Sequence, residues 1–308
     1  MQGGGGSTEK PREIITFDVN DMIAAKGTAN SIISRTISYE FLRIIIVSEK
    51  YAKDKNFPAT IFDTQKDKEI RMNTYLAVSR ENASDYFVKN KPMMETRPHK
   101  YFQYMVDHGI ENGMIPDSTL FRYFKTLDRG TDLYLAMYTT AIKSKKTKVK
   151  SEDEYMAGQV DASGEMDDTQ FIGSAVFKNG IMTKKLTGQE TRIVNILDDT
   201  TDIKDILIDI PEPFSNKGTE LTSRIMKREN NKVKMKNLKG TKPQIMITIP
   251  LKVELMTNPS MVSYTSEKNR QILKKQVISY LKEKNENLFK KSQTKLKGVP
   301  YPLPLYAR

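Results

Sequence analysis

Apolar residues recur along this chain in short bursts of two periods. Residues 14–19 alternate in a way that predicts a first strand, and Gly27-Thr28 then opens a short helix with Ile32, Ile33 and Ile37 on its apolar side. Residues 41–47 are a bounded β-branched run, the pattern of a buried central strand. Ser48 caps a turn of helix around Tyr51 and Ala52. Residues 70–78 read as another strand, with Ile70, Met72, Leu76 and Val78 on its apolar positions. Asn82 or Ser84 caps a helix through Phe87. Amphipathic helices follow over 99–109 and 118–127, and residues 133–142 close this half as a strand.

The second half opens with the strongest local signals. An apolar strand from Phe171 to Phe177 meets Asn179-Gly180, and a second strand follows over 181–186. Asn-Gly between two apolar strands suits a type I′ turn, which needs positive φ at both central positions. Thr187-Gly188-Gln189-Glu190 is a capping box, and the helix after it buries Ile193, Val194, Ile196 and Leu197. Residues 203–210 form a strand ended by Pro211 and Pro213. Residues 221–226 and 232–236 read as strands sharing one solvated face. Ile245, Ile247, Ile249, Leu251, Val253 and Leu255 make an unbroken period-two stripe, with Pro250 marking an edge or bulge. Residues 267–291 are the longest helix, with Leu273, Val277, Tyr280, Leu281 and Leu288 on one face, and Gly298, Pro300, Pro302 and Pro304 end it.

These elements predict a multi-domain α+β protein of mixed sheets flanked by helices, its long C-terminal helix packed on an antiparallel sheet. We read 1–13 as a flexible Gly-rich N-terminus and 14–92 as an N-terminal α/β domain. Residues 93–168 read as a middle helical and strand region with a charged linker. Residues 169–308 read as a C-terminal α+β domain of hairpin, helix, sheet and long helix. The chain has 308 residues, 38% of them hydrophobic, which excludes wholesale disorder. No apolar run approaches the ~18 residues of a membrane span. No charged start followed by an apolar core reads as a secretory signal.

Candidate chemistry is sparse. With no cysteine there is no disulfide, thiolate metal site or cysteine nucleophile. The two histidines, His99 and His108, lack the i, i+4 spacing of a helical metal site and read as ordinary surface or half-buried side chains. There is no Gly-rich phosphate loop and no G-x-S-x-G elbow, and Gly173-Ser174 lies inside a strand. Asp167-Asp168 and Asp198-Asp199 read as loop or helix-end charges. No catalytic, cofactor-binding or metal residue is assigned.

The net charge of +12 fits nucleic acid, an anionic membrane surface or an acidic protein. Lys143, Lys145, Lys146, Lys148 and Lys150 precede an acidic stretch containing Glu152, Asp153, Glu154, Asp161, Glu165, Asp167 and Asp168, which reads as a solvated linker. Residues 227–239 are basic without an aromatic, unlike a base-stacking surface, so no nucleic-acid partner is expected.

The order of these pieces resembles the Ger(x)C family, the C subunits of bacterial spore nutrient germinant receptors. Residues 171–192, FIGSAVFKNGIMTKKLTGQETR, look like that family's G-x-A-V-F-K-x-G-K-M-x-G-x-L-[TS]-x-x-E-[TA]-R segment, with departures at Ile181 and Thr183. KGTANSII at 26–33, FLRIIIVSEKYA at 41–52 and KEIR at 68–71 are also similar to it. The resemblance implies a non-catalytic subunit acting in nutrient-triggered germination, without a cofactor. It implies an adaptor for membrane-embedded A and B subunits, lipid-anchored on the outer face of the inner spore membrane. The family's lipoprotein signal, anchor cysteine, first strand pair and later strands are not seen in this chain, which fits either a shortened chain or a divergent short member. The alternative from charge alone is a basic soluble α/β domain binding nucleic acid or another anionic partner.

Overall fold

The computed structural model describes residues 12–129, 133–144, 152–164, 167–204, 206–215, 219–237 and 244–301. The Gly-rich start and most of the 143–150 lysine run lie outside them. The described chain is α+β. Strands β1 (Ile44–Ser48), β2 (Tyr75–Ser79), β3 (Tyr134–Thr140), β4 (Gln170–Lys178) and β5 (Ile181–Leu186) form one sheet in chain order. The first three run parallel, and β4 and β5 turn antiparallel. The sheet therefore draws strands from both sides of residue 168.

Alternation along these strands feeds two cores. Leu76 and Val78 of β2 face one side, with Phe57, Ile61, Tyr123, Tyr138 and Phe177. Ala77 faces the other, with Ile46, Tyr86, Phe102, Val106 and Phe171. Helices α2 (Glu49–Ala52), α3 (Phe57–Asp63) and α6 (Leu120–Arg129) supply the first side, and α4 (Ala83–Lys89) and α5 (Pro98–Glu111) the second. A sheet covered on both faces explains why every residue of β3 is buried.

The hairpin and its helix form as the local chemistry dictates. Asn179 and Gly180 have φ of 51° and 78°, the positive pair a type I′ turn requires. Thr187 caps α7 (Gly188–Leu197) with both bonds of the capping box present. A second sheet, β10-β7-β6, is antiparallel, from β6 (Ile206–Pro211), β7 (Glu220–Lys227) and β10 (Leu251–Leu255). Helix α8 (Glu267–Lys291) is capped by Ser266 and lays Leu273, Val277, Tyr280 and Leu281 against that sheet. A π-helical turn, Ser292–Leu296, carries the chain back to the first sheet. There Leu296 and Tyr301 pack with Leu133 and Leu135.

Several expectations are corrected. Residues 14–19 join no ladder, and Ile14, Ile15 and Val19 are exposed, because among the described residues no strand pairs with them. Helix α1 (Met22–Asn30) starts at Asp21, whose carboxylate accepts from the amides of Ile23 and Ala24, so Gly27-Thr28 lies near its end. The ladder of β2 begins only at Tyr75, and Ile70 is buried from a turn. Strand β8 (Lys232–Lys236) does not share a face with β7: it pairs with β9 (Gln244–Thr248) as a separate two-stranded ribbon. The long apolar stripe is cut at Ile249-Pro250 into β9 and β10, which belong to different sheets. The acidic linker is not all solvated either: Glu152–Glu154 is a 3-10 turn with Asp153 buried in it.

Candidate functional site

The segment resembling a family signature is engaged inside the fold. A bulge in β4 places Ile172 and Gly173 opposite Tyr138 between the paired residues Phe171 and Ser174. Gly173 takes a φ of 86° and turns its amide to the Met114 carbonyl at 2.8 Å. Ser174 Oγ lies 2.6 Å from Thr191 Oγ1, both fully buried, which ties β4 to α7. Glu190 closes the capping box and also meets Lys291 Nζ of α8 at 2.6 Å.

Arg192 is the centre of this arrangement. Its Nε donates to the Asn112 carbonyl at 3.0 Å, and its Nη1 donates to the Leu207 carbonyl at 2.8 Å and to Asp153 Oδ2 at 3.3 Å. Gln189 Nε2 donates to the other oxygen of Asp153 at 2.9 Å. Asn195 Nδ2 donates to the carbonyls of Gly113 and Ile115. One helix face thus fastens the 112–115 loop, the 152–154 turn and β6 together. A planar fork with several donors suits such divergent acceptors, as an ammonium would not.

The residues weighed for catalysis stand apart from one another. His99 and His108 are exposed, and the His108 ring stacks on Tyr104 with centroids 6.4 Å apart. Asp167 accepts from Asn90 and Thr169, and Asp168 pairs with Lys143 at 2.9 Å. Asp198 and Asp199 are more than loop charges: Asp198 meets Arg122 at 2.7 Å and Asp199 meets Lys227 at 2.5 Å. Burial pushes the Asp198 carboxyl up, but Arg122 and the Thr200 hydrogen bonds outweigh it and hold it below its ordinary value. Among the described residues no group of three or more His, Asp or Glu is arranged to hold a metal ion.

One cluster escapes sequence reading because its members lie far apart in the chain. Tyr138 Oη donates to Glu49 Oε2 at 2.5 Å, and Lys185 Nζ lies 3.1 Å from the same oxygen and 4.9 Å from the Tyr138 ring centroid. Lys53 Nζ meets Oε1 at 2.6 Å. Burial drives the Tyr138 hydroxyl far above its ordinary range, and the neighbouring carboxylate adds to it. For Glu49, burial works upward, yet the bonds from Lys53, Tyr138 and Lys185 win and bring its pKa from 4.5 to about 2. The cluster staples α2 across β3 and β5. Its folded pKa is depressed, so its contribution is complete above about pH 4.5 and is lost as pH falls toward 2. Glu49→Gln should flatten stability against pH in that window, read from urea midpoints across pH. An unchanged slope would show the staple to be inert.

The remaining surface feature is the β8–β9 ribbon. Register places Lys232, Lys234 and Lys236 on one face opposite Thr248, Met246 and Gln244. Val233, Met235, Ile245 and Ile247 share the other.

Residues 1–140 match the spore germination protein N-terminal domain, and residues 172–301 match the domain described as spore germination B3/GerAC like, C-terminal. The chain is also similar to a solved structure, the crystal structure of the GerBC protein, with a TM-score of 0.53 and 18% identity. That likeness covers 84% of this chain and 66% of the other, and it concerns the fold. No curated protein matches the chain.

Proposed function

The chain belongs to the Ger(x)C family of spore germination proteins, and from this premise we propose that it is the non-catalytic C subunit of a nutrient germinant receptor. In this reading it is an adaptor for the A and B subunits, lipid-anchored in its full-length form at the outer face of the inner spore membrane. Among the described residues no helix is long and apolar enough to cross a membrane.

The observation that carries the reading is the use made of the signature segment. Both family regions are present in order, and Ser174, Glu190, Thr191 and Arg192 are all bonded within the fold. A segment that fastens strands, loops and helices to one another suits a protein that works by holding shape. Nutrient response in spores lacking this protein is the test. Loss of nutrient-triggered germination, with the A and B subunits co-purifying with the protein from dormant-spore membranes, is the expected result. Normal nutrient germination without it, where no paralogue compensates, would remove the reading.

A further inference from the structure

The β8–β9 ribbon departs from the pattern of the rest of the molecule. The other described sheets have helices packed on them, whereas this ribbon is a two-stranded sheet on which no described helix makes a substantial contact. A lone hairpin is marginal in water unless something lies against it. Along Lys232–Lys236 and Gln244–Thr248 there is no acidic residue. Lys232 reaches Glu229 at 3.6 Å, both side chains largely exposed, while Lys234 and Lys236 have no carboxylate within 4.0 Å among the described residues. Met246 stands 60% exposed opposite Lys234, and Ile245 is 45% exposed on the far face.

We propose that this ribbon rests on an anionic lipid surface, its three lysines against the headgroups and Met246 in the boundary layer. The residue types select this occupant. Lysine is a compact point charge that satisfies any phosphate, while planar or paired recognition uses arginine. Protein hot spots are rich in Trp, Tyr and Arg, and the described ribbon has none of them. Single-stranded nucleic acid would call for stacking aromatics. Alternation spaces the ammonium groups about 7 Å apart along one face, so all three meet a plane at once and within a Debye length of it. The proposal deepens the membrane-side reading above and rests on it only for its setting, since lipid binding is measured without receptor subunits.

The experiment is co-sedimentation of the full chain with vesicles of phosphatidylcholine containing 30% phosphatidylglycerol, and with phosphatidylcholine alone. Binding to the anionic vesicles only, weakening steeply from 50 to 200 mM salt, is expected. Each lysine near the surface is worth about fivefold, so K232Q/K234Q/K236Q should bind roughly 100-fold more weakly. A control with the same charge change on the exposed side of α8, K268Q/K274Q/K275Q, should bind within a fewfold of the parent. Lys234→Gln alone, which leaves the ribbon's neighbours untouched, should show a smaller loss and a shallower salt slope. No binding by the parent chain overturns the proposal and leaves an acidic protein partner as the better candidate. Equal losses in the two triple variants overturn it too, by reducing the effect to net charge.

Discussion

Arg192→Ala should lower the free energy of unfolding by about 3–5 kcal/mol, the range for breaking a buried ion pair from one side. Asp153 and Arg192 are both buried, and the pair is surrounded by acceptors that depend on the guanidinium. Removing it deprives Asp153 of its cation and strips donors from the carbonyls of Asn112 and Leu207, three groups from separate parts of the chain. An unsatisfied buried polar group costs about 1–3 kcal/mol by itself. Arg192→Lys should recover only part of the loss, because one ammonium cannot reach acceptors fanned around a planar fork. Urea denaturation of the three proteins measures this. A loss below about 1 kcal/mol for the alanine variant would mean that the network is not structural.

Gly173→Ala should be nearly as damaging, for a backbone reason. A φ of 86° strains any side chain, at about 1–3 kcal/mol. An added Cβ would also lie 2.4 Å from the Leu186 carbonyl, backbone that cannot step aside without opening the β4–β5 ladder. Gly27→Ala is the matched control. That position is helical with nothing within 4 Å, so alanine should stabilise by up to about 1 kcal/mol. Thermal unfolding of the pair should move in opposite directions. If Gly173→Ala melts with the parent, the bulge tolerates a side chain and the steric account is wrong.

Elements with local chemistry were legible in the sequence. Asn179-Gly180 and the Thr187 capping box specify turn and helix start within a few residues, and the structure has both. Helix α8 is readable end to end because its apolar stripe is long and Ser266 marks its start. Apolar alternation alone misled, since period two says a strand can form and not what it pairs with. Residues 14–19 have no strand partner among the described residues, and the stripe from Ile245 to Leu255 is divided by Pro250 between two sheets, with Val253 left partly exposed. Long-range polar contacts carried no signal at all. Arg192 meets a carboxylate 39 positions away, and Lys185 meets one 136 positions away. Acidic residues at 153, 198 and 199 look like solvated charge in sequence because their cations lie far off in the chain. The family signature was visible, but its purpose was not, as Gly173, Gln189, Glu190 and Arg192 also bond to loops, strands and helices outside the segment.

The first sheet has a consequence for how the chain is made. Strand β3 ends at Thr140, and the strand that covers its second edge begins at Gln170 and is itself covered by β5, complete at Leu186. A ribosome adds about 5–20 residues per second, so that edge waits roughly 2–9 seconds for its neighbours. During this interval Leu135, Ala136 and Met137, fully enclosed in the finished protein, border an open ladder able to pair with any strand nearby. The burden of proteostasis in this fold therefore falls on nascent chains halted between these two strands. Slow translation across residues 141–169 would raise the yield of misassembled protein without altering a single contact of the native state.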